Sequence, residues 1–337
     1  MKMWASTAIG GPDTLALYDA APPVPAPGEV LVAIEACGIN FPDSLIIEDR
    51  YQFKPARPFA PGGEIAGIVR DVGEGVTALS IGDRVIARTG WGGLAGFVAV
   101  PVSICAVMPP DMPFEEGAAF LFTYATAYHA LVQRARIAQG ERVLVLGGAG
   151  GTGVATIELA KAFGATVCAA VSSDEKADFA RACGADETIV YPPGPLDSDA
   201  ARALGTQFKA FGGSDGIDIV FDPVGGDYAE PALRAMAWKG RYLVVGFTAG
   251  IPRLPFNLPL LKGCEIVGVF NGGLNANEPA VAEANIRALI ALYGEGKLRP
   301  RVSHIYAFAD GPRAIEAIAA RGALGKLVVR VGEPARD

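Results

Sequence analysis

Apolar and polar residues alternate with a two-residue period through the first hundred residues, which predicts short half-buried strands. Glu29 to Ala36 is the clearest of these and follows the stiff lead-in Ala21-Pro-Pro-Val-Pro-Ala-Pro-Gly28. Ile65 to Val72, Arg84 to Ala87 and Phe97 to Pro101 are further predicted strands, with Gly73, Gly75 and Gly82 marking turns. From about Phe114 the spacing becomes helical. Continuous apolar runs then alternate with helical segments: the run before Gly148, Thr166 to Val171, Glu187 to Tyr191, Ile217 to Val224, Arg241 to Phe247 and Glu265 to Phe270. Such runs fit parallel strands covered on both faces. Beyond Asn271 the pattern predicts a helix through about Tyr293, a strand at His304 to Phe308, a short helix at Pro312 to Arg321 and a last strand at Lys326 to Val331. This tail repeats the alternation of the opening segment, so it is expected to fold back onto it. The expected fold class is α/β, with a discontinuous, mainly β domain (residues 1–123 and 272–337) and a doubly wound parallel-sheet domain (residues 124–271). A chain of 337 residues suits two such domains.

The segment Arg142-Val-Leu-Val-Leu-Gly-Gly-Ala-Gly-Gly-Thr-Gly153 joins a buried strand to a helix through Gly148, Gly150 and Gly153. Gly148 is expected to permit the tight turn and Gly150 to let the backbone approach a pyrophosphate. Gly153 should bring the helix close to the sheet, so that its amide-rich N-terminus, with Gly151 and Thr152, faces the phosphates. With 43 glycines a chance match is easy, and the context decides. Val154, Ile157, Leu159, Ala160 and Phe163 recur at helical spacing, Gly164 stops the helix, and a second strand follows at once. The result is one βαβ unit with a right-handed crossover.

An NAD-preferring site needs an acidic residue about 20 residues past the glycines to accept from the ribose 2′-hydroxyl. Ser172 and Ser173 stand there, and Lys176 follows one turn into the next helix. A 2′-phosphate is then not repelled, which favours NADPH. Tyr191, closing the third strand, is placed to line the adenosine side. Lys176 reads alternatively as a solvated helix lysine, its field weakened by Asp174 and Glu175.

Composition narrows the partners. Hydrophobic residues make up 51% and charged ones 19%, which describes a compact globular enzyme. A net charge of −7 argues against nucleic acid or a membrane surface. No apolar run reaches spanning length without glycine or charge, and Met1-Lys-Met-Trp4 lacks a signal-peptide core, so a cytoplasmic location is expected. Cys37, Cys105, Cys168, Cys183 and Cys264 are odd in number and widely spaced, and show neither a disulfide framework nor a CxxC site.

Several phrases together are more specific than the glycine turn: Pro27-Gly-Glu-Val-Leu-Val32, Gly38-Ile-Asn-Phe-Pro-Asp43, Pro61-Gly-Gly-Glu-Ile-Ala-Gly67, Val72-Gly-Glu-Gly-Val76 and Gly82-Asp-Arg-Val85. Over nearly its whole length the chain resembles the medium-chain dehydrogenase/reductase superfamily. Thr123-Tyr-Ala-Thr-Ala-Tyr-His-Ala-Leu131, Ser172-Ser-Asp-Glu-Lys176, Phe221-Asp-Pro-Val-Gly-Gly226 and Gly325-Lys-Leu-Val-Val329 turn the likeness toward the zinc-free, zeta-crystallin-like NADPH:quinone oxidoreductases. The resemblance implies a GroES-like catalytic domain, a Rossmann domain, and a homodimer formed by edge pairing of the Glu265 to Phe270 strands. Zinc alcohol dehydrogenases of the superfamily hold an open-site metal on Cys and His. Those positions correspond here to Asn40, Gly63 and approximately Phe122, and the four-cysteine lobe is replaced by the short Thr89–Phe97 segment. Cys37 lies three residues before Asn40 and reads as a packed small hydrophobe. His129 and His304 have no partners at ligand spacing.

Without a metal to polarise the acceptor, the reading is hydride transfer to an electrophile already activated by conjugation, a quinone or an α,β-unsaturated carbonyl. Tyr51 lies eleven residues after Asn40, the spacing seen in the related mitochondrial enoyl thioester reductases, whose tyrosine is the proton donor. The resemblance therefore implies that Tyr51 gives a hydrogen bond or proton and that Asn40 bonds substrate or nicotinamide. Asp43 can instead act as a helix cap. Thr126 is implied near the nicotinamide or phosphates, with Gly246, Phe247, Phe270 and Asn271 bordering the nicotinamide at strand ends. Two alternatives stay open: a 2-enoyl thioester (enoyl-CoA) reductase, and a crystallin-like or RNA-binding protein that holds the cofactor with little catalysis.

Overall fold

The computed structural model describes residues 1–332, which form two compact units. Met1–Phe122 and residues 300–332 make one, and Thr123–Arg299 the other. The first unit opens with an antiparallel pair, β1 (Lys2–Ser6) and β2 (Leu15–Asp19). No alternation announced β2, because Leu17 and Tyr18 are both apolar and both exposed. Next come β3 (Glu29–Ile39), α1 (Phe41–Ile47), β4 (Glu64–Val72), β5 (Arg84–Ala87), β6 (Phe97–Pro101), β7 (Cys105–Val107) and the short α2 (Phe114–Gly117).

The second unit starts within α3 (Leu121–Tyr128). It continues through β8 (Arg142–Leu146), α4 (Gly151–Ala162), β9 (Thr166–Val171), α5 (Asp174–Ala182), β10 (Glu187–Val190), α6 (Ser198–Gly212) and β11 (Ile217–Asp222). Its second half is α7 (Ala229–Arg234), β12 (Met236–Val244), α8 (Asn257–Lys262), β13 (Glu265–Gly268), α9 (Asn271–Asn277) and α10 (Pro279–Gly294). The chain then returns to the first unit with β14 (Val302–Ala307), α11 (Gly311–Ala319) and β15 (Lys326–Arg330).

β3 is the hub of the first unit's sheet, whose order is β14-β15-β3-β4-β5-β7, with β6 also pairing β3. It runs three residues past the expected Ala36 because β15 pairs with that end: Leu327 stands opposite Ile39, and Val329 opposite Cys37. In the second unit six strands, all parallel, lie in the order β10-β9-β8-β11-β12-β13. This is the doubly wound arrangement, and the strand order reverses between β8 and β11.

Three expectations need adjustment. The second unit extends to Arg299, beyond the expected 271, because α10 belongs to it. Asn285 on α10 exchanges amide hydrogen bonds with Gln133 at 2.8 and 3.1 Å, and the Arg299 N–H donates to Glu158 at 2.8 Å. The single helix expected past Asn271 is two, since Pro279 has no N–H to continue the first and begins the second. β12 and β13 also end early. Val244 opposite Gly268 is their last pair, after which the Val245 and Gly246 N–H groups turn to the Asp222 carbonyl. Gly246 and Phe247 therefore sit in a loop, and Phe270 and Asn271 at the start of α9.

Candidate active site

The glycine turn joins β8 to α4 with the roles of its glycines redistributed. The left-handed backbone lies at Gly147 (φ 65°), one residue before the expected position. Gly148 is needed for packing, since a Cβ there would stand 2.6 Å from the Ala169 Cβ on β9. A Cβ on Gly153 would strike the Gly147 carbonyl oxygen, so this glycine lets α4 close down on the turn. A Cβ on Gly150 would meet only the Gly147 carbonyl oxygen, at an ordinary 3.5 Å, and Gly150 is the N-cap of α4, whose first internal bond runs from the Val154 N–H to the Gly150 carbonyl. The amides of Gly151, Thr152 and Gly153 precede that bond, in the first turn where a helix presents unpaired N–H groups to an anion.

At the end of β9 the structure brings two predicted residues together. The Lys176 ammonium donates to the Ser172 hydroxyl at 3.0 Å, and the Ser173 hydroxyl caps α5 by accepting from the Lys176 N–H at 3.3 Å. Serine capping and a lysine one turn later thus come from the same local geometry. Tyr191 is buried just past β10, its ring centroid 4.5 Å from that of Tyr228, and packs into the unit's core. Asn271 is also buried and donates its side-chain amide to the Thr126 hydroxyl at 3.4 Å, while Phe247 and Phe270 are exposed.

The first unit holds a buried cluster of charge around Asn40. The Lys326 ammonium donates to Asn40 Oδ1 at 2.6 Å, to Glu64 Oε2 at 2.9 Å and to the Ile39 carbonyl at 3.3 Å. Asn40 Nδ2 donates to the same Glu64 oxygen at 3.1 Å, and Glu64 Oε1 accepts from the Phe122 N–H at 2.7 Å. Both charges are withdrawn from solvent, so each depends on the other and on these hydrogen bonds. Asp43 acts as the predicted cap: its carboxylate accepts from the Asn40 N–H at 2.7 Å and the Gly62 N–H at 3.1 Å, tying the start of α1 to the loop before β4. Burial pushes its pKa up to about 6, against the pull of those N–H groups and of Lys326. Cys37 is fully buried among these groups, and burial raises its thiol well above the usual range.

Tyr51 is half-buried, ring edge to ring face with Phe53 at 5.8 Å, and packs on the core below α1 and α11. Burial raises its pKa, Arg88 lowers it, and Asp43 adds to the rise. Lys326, Glu64 and Arg88 were not singled out from the sequence. Lys326 and Glu64 each open a strand and Arg88 directly follows β5, each next to an apolar run (residues 327–329, 65–68 and 85–87), and that adjacency is the signal that could have marked them.

Residues 26–110 match the model of the alcohol dehydrogenase GroES-like domain, and residues 151–286 match the model described as zinc-binding dehydrogenase. The chain is 35% identical over 305 residues to quinone oxidoreductase-like protein 2 homolog of Nematostella vectensis, covering 89% of this chain and 81% of that protein. It is 31% identical to the quinone oxidoreductase of Rattus norvegicus, over 95% of both. A solved Escherichia coli quinone oxidoreductase complexed with NADPH superposes with a TM-score of 0.87 at 26% identity, over 98% of this chain and all of that one. The chain belongs to the quinone oxidoreductase type of the medium-chain dehydrogenase/reductase superfamily.

The second family description implies zinc, and the donor set here does not fit it. The resemblance puts Asn40, Gly63 and approximately Phe122 at the ligand positions, and no group of three His, Cys, Asp or Glu side chains is arranged for a metal among the described residues. His129 is instead bonded to Gln133 at 3.2 Å, and His304 packs on Tyr306. The cation beside Glu64 is the Lys326 ammonium.

Proposed function

We propose that this protein is an NADPH-dependent, metal-free reductase that transfers hydride to quinones or other conjugated carbonyls. The observation that carries the reading is the pairing of Lys176 with Ser172 at the end of β9, where an NAD-specific site needs a carboxylate. The residues fit a dinucleotide: a Cβ-free approach at Gly150, unpaired amides at the start of α4, and a hydroxyl and an ammonium for a 2′-phosphate. NADPH, when bound, supplies a hydride, two electrons with one proton, to the conjugated acceptor. The protein orients the partners and excludes water, and the acceptor's own conjugation replaces a Lewis acid. Relatives named quinone oxidoreductase support the acceptor class. Oxidation of NADPH by a panel of quinones after exhaustive chelation is the test. Activity lost on chelation and restored by zinc would overturn the metal-free reading.

A second reading, 2-enoyl thioester reduction, is favoured by Tyr51, whose hydroxyl has no hydrogen-bond partner among the described residues and is free to donate. An enolate must be protonated at carbon, whereas a quinol takes protons from solvent. A preference for 2-enoyl-CoA, with a large loss on Tyr51→Phe for that substrate alone, would select it.

The working form is proposed to be a homodimer. Among the described residues β13 pairs with β12 on one side only, which leaves its other edge open to a strand of a second copy, although the Gly268 carbonyl accepts from Arg134 at 3.0 Å. Exposed Ile266, with exposed Leu260, Leu261 and Trp238 in the same unit, provides apolar surface for a second copy to cover.

A further inference from the structure

Arg88 follows β5 directly. Ala87, the last residue of that strand, stands opposite Ile65, so the next position across the ladder faces Glu64. Side chains on directly opposed residues of antiparallel strands lie on one face. The electrostatics agree, since Arg88 interacts with both Glu64 and Tyr51. Glu64 already accepts three hydrogen bonds, from Lys326 and Asn40 on one oxygen and from the Phe122 N–H on the other, and makes none to Arg88. The Arg88 guanidinium is half-buried, and burial works against its charge. It nevertheless has no hydrogen bond or ion pair among the described residues, and neither has the Tyr51 hydroxyl. A partly desolvated guanidinium and a phenol that make no hydrogen bond within the described chain can both donate to one anionic oxygen.

We propose that Arg88 is a catalytic residue that binds the carbonyl oxygen of the acceptor and holds the negative charge this oxygen gains during hydride transfer. The inference rests on the reductase reading above and narrows its substrate class to acceptors whose oxygen becomes anionic. The hydride adds to the far end of the conjugated system, forming a C–H bond at the β-carbon of an enone or an O–H bond at the second oxygen of a quinone. The displaced π pair moves to the oxygen, leaving an enolate or hydroquinone monoanion and NADP⁺. Arg88 donates N–H bonds to that oxygen, and one proton from Tyr51 or water completes the product, with Tyr51 regaining its proton from water. A donor aimed at developing charge stabilises the transition state more than the ground state.

The experiment compares wild type, Arg88→Gln and Arg88→Lys. Steady-state reduction of a quinone by NADPH should show kcat lowered about a hundredfold in Arg88→Gln with KM changed less than about threefold, and partial recovery in Arg88→Lys. An unchanged kcat, or a rise in KM alone, overturns the role. Binding of 4-nitrophenolate, an oxyanion probe read by its visible band in the presence of NADP⁺, tests Arg88 separately from turnover. Arg88→Gln should lose at least about tenfold in affinity for it, the share of one charged donor. If wild type reduces no conjugated acceptor, the reductase reading fails; equal probe binding by wild type and Arg88→Gln sinks the Arg88 inference whatever the turnover. Equal melting temperatures of the three proteins verify that the variants are folded.

Discussion

Lys326 on β15 and Glu64 at the start of β4 form a 2.9 Å ion pair hidden from solvent, although 262 residues separate them in sequence. Removing one partner leaves the other charge buried alone. Lys326→Met is therefore expected to cost about 3–5 kcal/mol of unfolding free energy, measured by denaturant titration. The double variant Glu64→Gln/Lys326→Met should lose clearly less than the two single losses combined. Strict additivity would mean the pair is not coupled.

Asp43 gives a pH dependence whose sign opposes that of an ordinary salt-bridged carboxylate. Its folded pKa is raised from 3.8 to about 6, so between these values the folded state binds more protons than the unfolded one. Stability from this group falls as pH rises from 3.8 to about 6 and is level above that. Asn at this position cannot titrate. The stability of wild type relative to Asp43→Asn should thus drop by about 3 kcal/mol over that window, as read from urea midpoints at a series of pH values. A difference that rises with pH contradicts the raised pKa.

The glycine turn tolerates no side chain at its crossing. A Cβ at Gly153 collides with the Gly147 carbonyl, and one at Gly148 with Ala169. Overpacking of this kind costs about 1–3 kcal/mol, and its relief displaces the amides at the start of α4. Gly153→Ala should weaken NADPH binding by about tenfold or more in a fluorescence titration. Undiminished binding would show that the turn does not hold the phosphates.

Coenzyme choice should follow the 3.0 Å contact between Lys176 and Ser172. Ser172→Asp places a carboxylate where the ribose 2′-hydroxyl is recognised and repels a 2′-phosphate. The ratio of kcat/KM for NADPH over NADH is expected to fall by about tenfold or more, the scale of one charge-assisted hydrogen bond. An unaltered ratio would put the discrimination elsewhere.

Ile266→Lys places a charge on the exposed edge of β13. Sedimentation at micromolar concentration should then show monomers where wild type shows dimers, since charged side chains on an edge strand block pairing. A wild-type monomer, or a dimer in both, removes β13 as the interface.

The sequence by itself determined what depends on neighbours along the chain. The two-residue alternation placed β4, β5 and β6, the apolar runs placed the parallel strands, and the glycine spacing placed the β8–α4 turn, because period and backbone permissiveness are local properties. Tertiary structure decided the rest. β3 reaches Ile39 only because β15 pairs with it, and α10 joins the second unit only through partners such as Gln133. Asn40, anticipated as a ligand-facing amide, is held by Lys326 and Glu64, which the chain delivers from its far end and from a neighbouring strand. Arg88 gains significance only when the ladder sets it across from a glutamate that already accepts from Lys326, Asn40 and Phe122. Local pattern fixes which face a residue takes; whether its charge finds a partner depends on segments brought together by folding.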